Sequence, residues 1–144
     1  MGLLKKYIKK KLRLLMNQLN SINTDWEDKA LILQAKSFMA SKFWRERSQN
    51  LDLTSKEFSV FSQWGDDGII QYLVQELDID NKFFIEFGVG SYFESNTHFL
   101  LVNDNWSGFI IDGSKKCMDI VKNNPFFWRY DLRLKTAFID KDNI

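Results

Sequence analysis

Phe83-Phe84-Ile85-Glu86-Phe87-Gly88-Val89-Gly90 is the stretch that decides how this chain folds. Its first five residues are a short, mostly apolar run of the kind that forms a buried parallel strand. Two glycines follow at once. Glycine at a strand's carboxyl end lets the backbone turn sharply and lets a ligand come close to it. Downstream, Ser95 or Asn96 can cap a helix over about Asn96 to Asn103. Asn105 to Gly108 reads as a turn. Phe109-Ile110-Ile111-Asp112 is a second buried strand that ends on an acid. Strand, glycine turn, helix and strand form a βαβ unit, which implies a parallel sheet with right-handed crossovers.

The pattern continues on both sides. A helix is predicted over Lys115 to Lys122, broken by Asn123-Asn124-Pro125. Phe126 to Tyr130 and Thr136 to Ile139 are the remaining strand candidates. Upstream, Asp66 or Asp67 can cap a helix carrying Ile69, Ile70, Leu73, Val74 and Leu77, and Asp78 to Asn81 is a polar turn. Before that the period is helical. Leu3, Leu4, Tyr7, Ile8, Leu12, Leu15 and Leu19 fall on one face of a first helix. Thr24 and Glu27 have the spacing of a capping box, which opens a second helix running from Asp25 to about Arg47. Ser48 to Thr54 then connects to the rest. The expected organisation is a helical segment over residues 1–57 and a partial Rossmann-like domain over 58–144. The fold class is α/β: a Rossmann-like parallel sheet preceded by N-terminal helices.

Charge is distributed unevenly. The first twenty residues hold Lys5, Lys6, Lys9, Lys10, Lys11 and Arg13 and no acid. The remaining 124 hold 14 basic and 19 acidic residues, so the main body is acidic and nucleic acid is not the expected partner. Two readings of the basic first helix stand. It packs its leucines with its lysines in water, or residues 1–19 make peripheral contact with an anionic membrane. No apolar stretch approaches the roughly 20 residues of a membrane span, and the basic start lacks the apolar run of a secretory signal. The expected location is therefore cytoplasmic. The single cysteine, Cys117, cannot form an intrachain disulfide and reads as a buried helix residue.

The chemistry gathers at the strand ends. Asp112 lies 24 residues after Gly88, at the end of the next strand. An acid about 20 residues beyond such a glycine turn accepts from ribose hydroxyls. A nucleoside-sized ligand is therefore expected in the crevice outside the strands' carboxyl ends. A dinucleotide fingerprint needs a third glycine where this chain has Phe93, and a pyrophosphate is poorly served by a carboxylate at its turn, where Glu86 stands. S-adenosylmethionine carries no phosphate but bears a sulfonium and an ammonium, and Glu86 suits that cation. The cofactor-binding candidates are Glu86, Gly88, Gly90, Ser95, Asn96 and Asp112. Gln63, Asp66 and Asp67 are secondary, since capping alone accounts for the aspartates. His98, the only histidine, falls in the first turn of a helix and reads as structural before it reads as a general base. No metal-ligand cluster and no Ser-His-Asp arrangement stands out.

These segments resemble FkbM-type class I methyltransferases in four motifs, in the same order. Phe61-Ser62-Gln63-Trp64-Gly65-Asp66-Asp67-Gly68-Ile69-Ile70 is similar to the segment before their first strand, and Phe84 to Gly90 to their first motif. Glu94-Ser95-Asn96-Thr97 resembles the following helix start. Trp106 to Ser114 resembles the second strand with its acidic end. Phe138 to Ile144 is further similar to the segment after the third strand. The resemblance implies S-adenosylmethionine-dependent methyl transfer, usually to a hydroxyl of a small-molecule or glycan acceptor. Two departures accompany it. Ser91-Tyr92 stands where the family usually has Asp-Gly. Family members also continue into a fourth strand, so the resemblance implies an incomplete class I methyltransferase fold, a fragment that is inactive or weakly binding alone. An open strand edge then invites self-association. The general base is not identified. The alternative expectation is a non-catalytic truncated domain that acts only in self-association or membrane contact.

Overall fold

The computed structural model describes residues 2–45, 52–77 and 79–142. The chain divides into two compact units, Met1–Ala40 and Ser41–Ile144. The segment from Ser41 to Glu57, expected to group with the N-terminal helices, falls in the second unit. Trp44 explains why. It is buried, its indole N–H donates to the Lys56 carbonyl at 3.2 Å, and its ring meets Tyr72 edge-on at 6.0 Å. The Lys56 ammonium returns the contact, donating to the Trp44 carbonyl at 2.5 Å.

The first unit is one helix, α1, Gly2–Ala40. The expected break between Leu19 and Thr24 does not occur, because no proline or glycine interrupts that stretch. The capping box at Thr24 therefore opens no helix, and Asp25 instead pairs with Lys29 one turn on at 2.6 Å. The second expected helix ends at Ala40 rather than Arg47. A short helix α2, Lys42–Arg45, follows, and Arg47 lies outside the described residues. Of the predicted apolar face, Tyr7, Leu12 and Leu15 are exposed. The side chains of Leu3, Leu4, Ile8 and Leu19 lie outside the described part.

The second unit is α/β. After a 3-10 turn, Leu53–Lys56, come α3 (Asp66–Glu76), β1 (Phe83–Phe87), α4 (His98–Asp104), β2 (Ser107–Asp112), α5 (Lys115–Asn123) and β3 (Leu132–Thr136). The sheet is parallel and open, in the order β1-β2-β3. β2 begins at Ser107, two residues before the expected strand, because Ser107 and Gly108 pair with Phe83 and Phe84. The two later strand candidates are corrected. Phe127–Arg129 is a 3-10 turn whose Phe127 enters the core. β3 takes the alternating Leu132-Arg133-Leu134-Lys135 instead, since a strand covered on one face wants a period of two. Asp78, part of the predicted polar turn, lies outside the described residues.

Register assigns the two sheet faces. Phe84, Gly108 and Leu132 align on one face, and so do Ile110 and Leu134. They form the core with Ile70 and Val74 of α3, Leu100 and Leu101 of α4, and Met118 and Val121 of α5. The Phe84 ring lies over Gly108, where a Cβ would come within 2.1 Å of it. The opposite face carries Ile85 and Phe87, which are 56% and 49% exposed. Among the described residues, β1 pairs with a strand on one side only.

Candidate functional site

The chain leaves β1 through a turn that only glycine adopts easily. Gly88 has φ 69° and Gly90 φ 55°, in the left-handed region. Val89 between them is buried in the core, so the turn is pinned by one inward side chain. The Gly88 N–H extends the ladder to the Ile111 carbonyl at 2.9 Å. A Cβ at either glycine would meet nothing within 4 Å. Conformation rather than crowding therefore selects glycine here, and the space outside the turn is open.

Asp112, at the end of β2, holds this turn. One carboxylate oxygen accepts from the Gly90 N–H at 2.8 Å and the other from the Ser114 N–H at 2.7 Å. Ser114 in turn caps α5, its hydroxyl accepting from the Cys117 N–H. Cys117 itself is half-buried rather than buried.

Glu86 does for α4 what Ser95 and Asn96 were expected to do. The N-cap of α4 is Thr97, and no side chain of the loop caps it. Glu86 reaches across instead. Its Oε1 accepts from the Asn96 N–H at 3.0 Å. Its Oε2 accepts from the Thr97 N–H at 3.1 Å and from the Thr97 hydroxyl. A carboxylate at a helix start satisfies orphan donors and the helix dipole together, and a strand-end acid brings more charge there than a local hydroxyl.

Asp66 and Asp67 are corrected in the same way. α3 starts after Gly65, which has φ 90° and no side chain to cap it, and the Ser62 hydroxyl accepts from the Asp67 N–H in its first turn at 2.9 Å instead. Asp67 is buried and accepts from the N–H groups of Val60, Phe61 and Ser62 at 2.7–2.9 Å. It organises the backbone beside Gln63 rather than facing a ligand.

A crevice of about 230 Å³ opens at the carboxyl end of β1, lined by Gln63, Glu86, Gly88, Val89, Glu94, Ser95 and Asn96. It brings together four of the six candidates, Glu86, Gly88, Ser95 and Asn96. Gly90 and Asp112 form the adjoining hydrogen-bonded pair and do not line it. Glu94 was missed, although an acid just before an expected helix start was its signal. Among the described residues, two carboxylates and no cationic side chain line the crevice. A larger groove of about 620 Å³ runs along α5, lined by that helix alone.

His98 opens α4, as expected, and is buried. Its ring stacks on Phe61 at 4.0 Å and on Tyr92 at 5.0 Å. Neither ring nitrogen has a hydrogen-bond partner at good geometry. Burial pushes its pKa down to about 4, against a weaker opposing pull from the backbone of Phe93 and Tyr92. A ring so enclosed has no access to the crevice as a base. Among the described residues, no group of three or more His, Cys, Asp or Glu is placed to hold a metal ion. No helix among them is long and apolar enough to cross a membrane.

Comparison finds no match to this chain among family models, curated proteins or solved structures. What the fold defines is an α/β protein with a three-stranded parallel open sheet, compatible with part of a Rossmann-like fold.

Proposed function

We propose that the α/β unit is the S-adenosylmethionine-binding half-site of an FkbM-type class I methyltransferase, serving O-methyl transfer to a small-molecule or glycan acceptor. One observation carries this reading. Glu86, the Gly88–Gly90 turn and Asp112 converge at the carboxyl edge of two parallel strands, beside a crevice lined by carboxylates and no cation. Ligands of open α/β sheets bind at that edge.

The residues fit the charge and approach of the cofactor. Glu86 would hold its cationic end. Gly88 and Gly90 present backbone with no Cβ in the way. Asp112 would accept from a ribose hydroxyl, because a carboxylate has about four acceptor sites and two are used. The crevice is smaller than the roughly 300–1,000 Å³ of most small-molecule sites, so it suits one end of the cofactor rather than the whole. When bound, S-adenosylmethionine supplies a methyl group on a cationic sulfur. The chain's own contribution is alignment.

The dinucleotide alternative is disfavoured by two further features. The Asn96 and Thr97 amides that a pyrophosphate would use at the helix start are already taken by Glu86. The third glycine position is Phe93, and its ring is exposed.

Calorimetric titration with S-adenosylhomocysteine and NAD tests the reading. Binding of the first and not the second, weakened in Glu86→Gln and Asp112→Asn, is expected. A folded chain that binds neither, or only NAD, overturns it.

A second reading is supported by the exposed Ile85 and Phe87 on the unpaired edge of β1. In it the chain acts through self-association without catalysis.

A further inference from the structure

Tyr92 sits where a side chain is costly. Its φ of 62° lies in the left-handed region, which works against an L-residue by about 1–2 kcal/mol. It is nonetheless completely buried, at 0% exposure. A residue held in such a conformation is over-determined by its surroundings, and strain of this kind concentrates at functional sites. Its ring stacks on His98 and tilts against Phe127 at 5.6 Å. A phenylalanine would make both contacts. What requires a tyrosine is its hydroxyl, which lies 2.9 Å from Thr97 Oγ1 and also interacts with the Ser95 side chain.

The direction of that hydrogen bond follows from proton counting. The Thr97 hydroxyl has one proton, and it goes to Glu86 Oε2, since an ionised carboxylate only accepts. The Tyr92 phenol must then donate to Thr97. Burial, with the Glu86 charge adding, raises the phenol's pKa against the Thr97 and Ser95 hydrogen bonds, so it remains protonated and able to donate. The result is a directed chain from Tyr92 through Thr97 to Glu86. Glu86 Oε2 receives two donors, both from Thr97, and Oε1 receives one, from Asn96. The remaining acceptor capacity of the carboxylate therefore lies on Oε1, and Glu86 lines the crevice.

We infer that Tyr92 and Thr97 are positioning residues, which lock the Glu86 carboxylate so that the spare lone pair of Oε1 receives the ammonium-bearing end of the ligand. The ligand's identity rests on the cofactor reading above. The locking of Glu86 does not.

Two measurements on the full chain separate these. The first is hydrogen exchange of the Asn96 amide, which donates to Glu86 Oε1. In Thr97→Val the Asn96 amide should exchange about tenfold faster, as expected for loss of one hydrogen bond to a charged group, and in Tyr92→Phe it should exchange faster by a smaller factor, because the bond lost there joins two neutral hydroxyls. The Ile110 amide in the core should keep its protection, and Thr97→Ser should restore Asn96. The second is affinity for S-adenosylhomocysteine against 5′-methylthioadenosine, which lacks the amino-acid end. Thr97→Val should shrink the ratio of the two about tenfold, and Thr97→Ser should return it. Unchanged Asn96 exchange in Thr97→Val overturns the positioning role. Faster exchange with an unchanged affinity ratio overturns its link to the ammonium. If the parent chain binds neither ligand, the cofactor reading falls, and the exchange result alone upholds or overturns the positioning role.

Discussion

The Gly90 N–H donates to Asp112 Oδ2 at 2.8 Å, joining the turn after β1 to the end of β2. Gly90 and Asp112, 22 residues apart in sequence, thereby hold the ends of the two strands as one edge. The same carboxylate starts α5 through the Ser114 N–H, so a single acid couples the glycine turn to the next helix.

Replacing Asp112 should therefore affect stability before any ligand is added. Asp112→Ala strands two part-buried N–H groups and is expected to cost about 2 kcal/mol, the usual worth of hydrogen bonds to a charged group. Asp112→Asn keeps one carbonyl acceptor and should cost less. Urea unfolding of the three proteins checks this. Equal stability of Asp112→Ala and the parent would mean that these two hydrogen bonds do not hold the turn.

The glycines separate conformation from space. Gly88→Ala adds a methyl to open surroundings at φ 69°, so only strain of about 1–2 kcal/mol is expected. Gly68→Ala is a different case. Its Cβ would lie 2.0 Å from the Lys56 carbonyl oxygen and 2.5 Å from the Phe58 nitrogen, both backbone atoms. The segment joining the Trp44–Lys56 contact to α3 would have to move, and a loss above about 4 kcal/mol is expected. Thermal melts should rank the parent above Gly88→Ala, and Gly88→Ala well above Gly68→Ala.

His98 makes stability depend on pH. Its pKa is about 4 in the folded chain, against an ordinary value of 6.5. Above about 6.5 the histidine is neutral in both states, and its full contribution is present. Between 6.5 and about 4 the unfolded chain binds a proton that the folded chain refuses, so stability falls as pH falls. Below that window both states are protonated and this contribution levels off. The shift amounts to about 3 kcal/mol at most. Unfolding measured across the window in the parent and in His98→Phe should show a steeper decline in the parent. Parallel curves would count against the enclosure of the ring by Phe61 and Tyr92.

The sheet was more legible in the sequence than the loops that build the site. Phe83–Phe87 reads correctly because apolar runs and glycine turns are local signals, and β2 was placed to within two residues of its start. Phe126–Tyr130 misled because aromatic residues favour strands and cores alike, and only the packing of Phe127 on Tyr92 decides between them. In the α/β unit, capping was misread for one reason. Ser95, Asn96, Asp66 and Asp67 have the right residue types at the right places. The acceptor that serves α4 comes from ten residues away, in Glu86, and Asp67 turns to other amides. A reading of neighbours along the chain does not register such partners. The left-handed backbone of Tyr92 was equally hidden, since tyrosine gives no local warning of a glycine-like φ.

The edge of β1 gives the last prediction. Phe83, Ile85 and Phe87 alternate with residues whose backbone N–H and carbonyl groups face β2. The Gly88 N–H and the Lys82 carbonyl bond to β2, so by strand alternation the Ile85 amide and carbonyl point to the unpaired side. Protected edges carry lysine, proline or a bulge, and Phe83–Phe87 contains none of these. Concentration-dependent self-association is expected in sedimentation velocity. Ile85→Lys should suppress it by placing a charge at the centre of the edge. Leu77→Lys removes a comparably exposed apolar side chain at the end of α3 and should leave association unchanged. If both variants suppress it equally, the association is general stickiness rather than strand pairing. A parent chain that stays monomeric at high concentration removes the self-association reading.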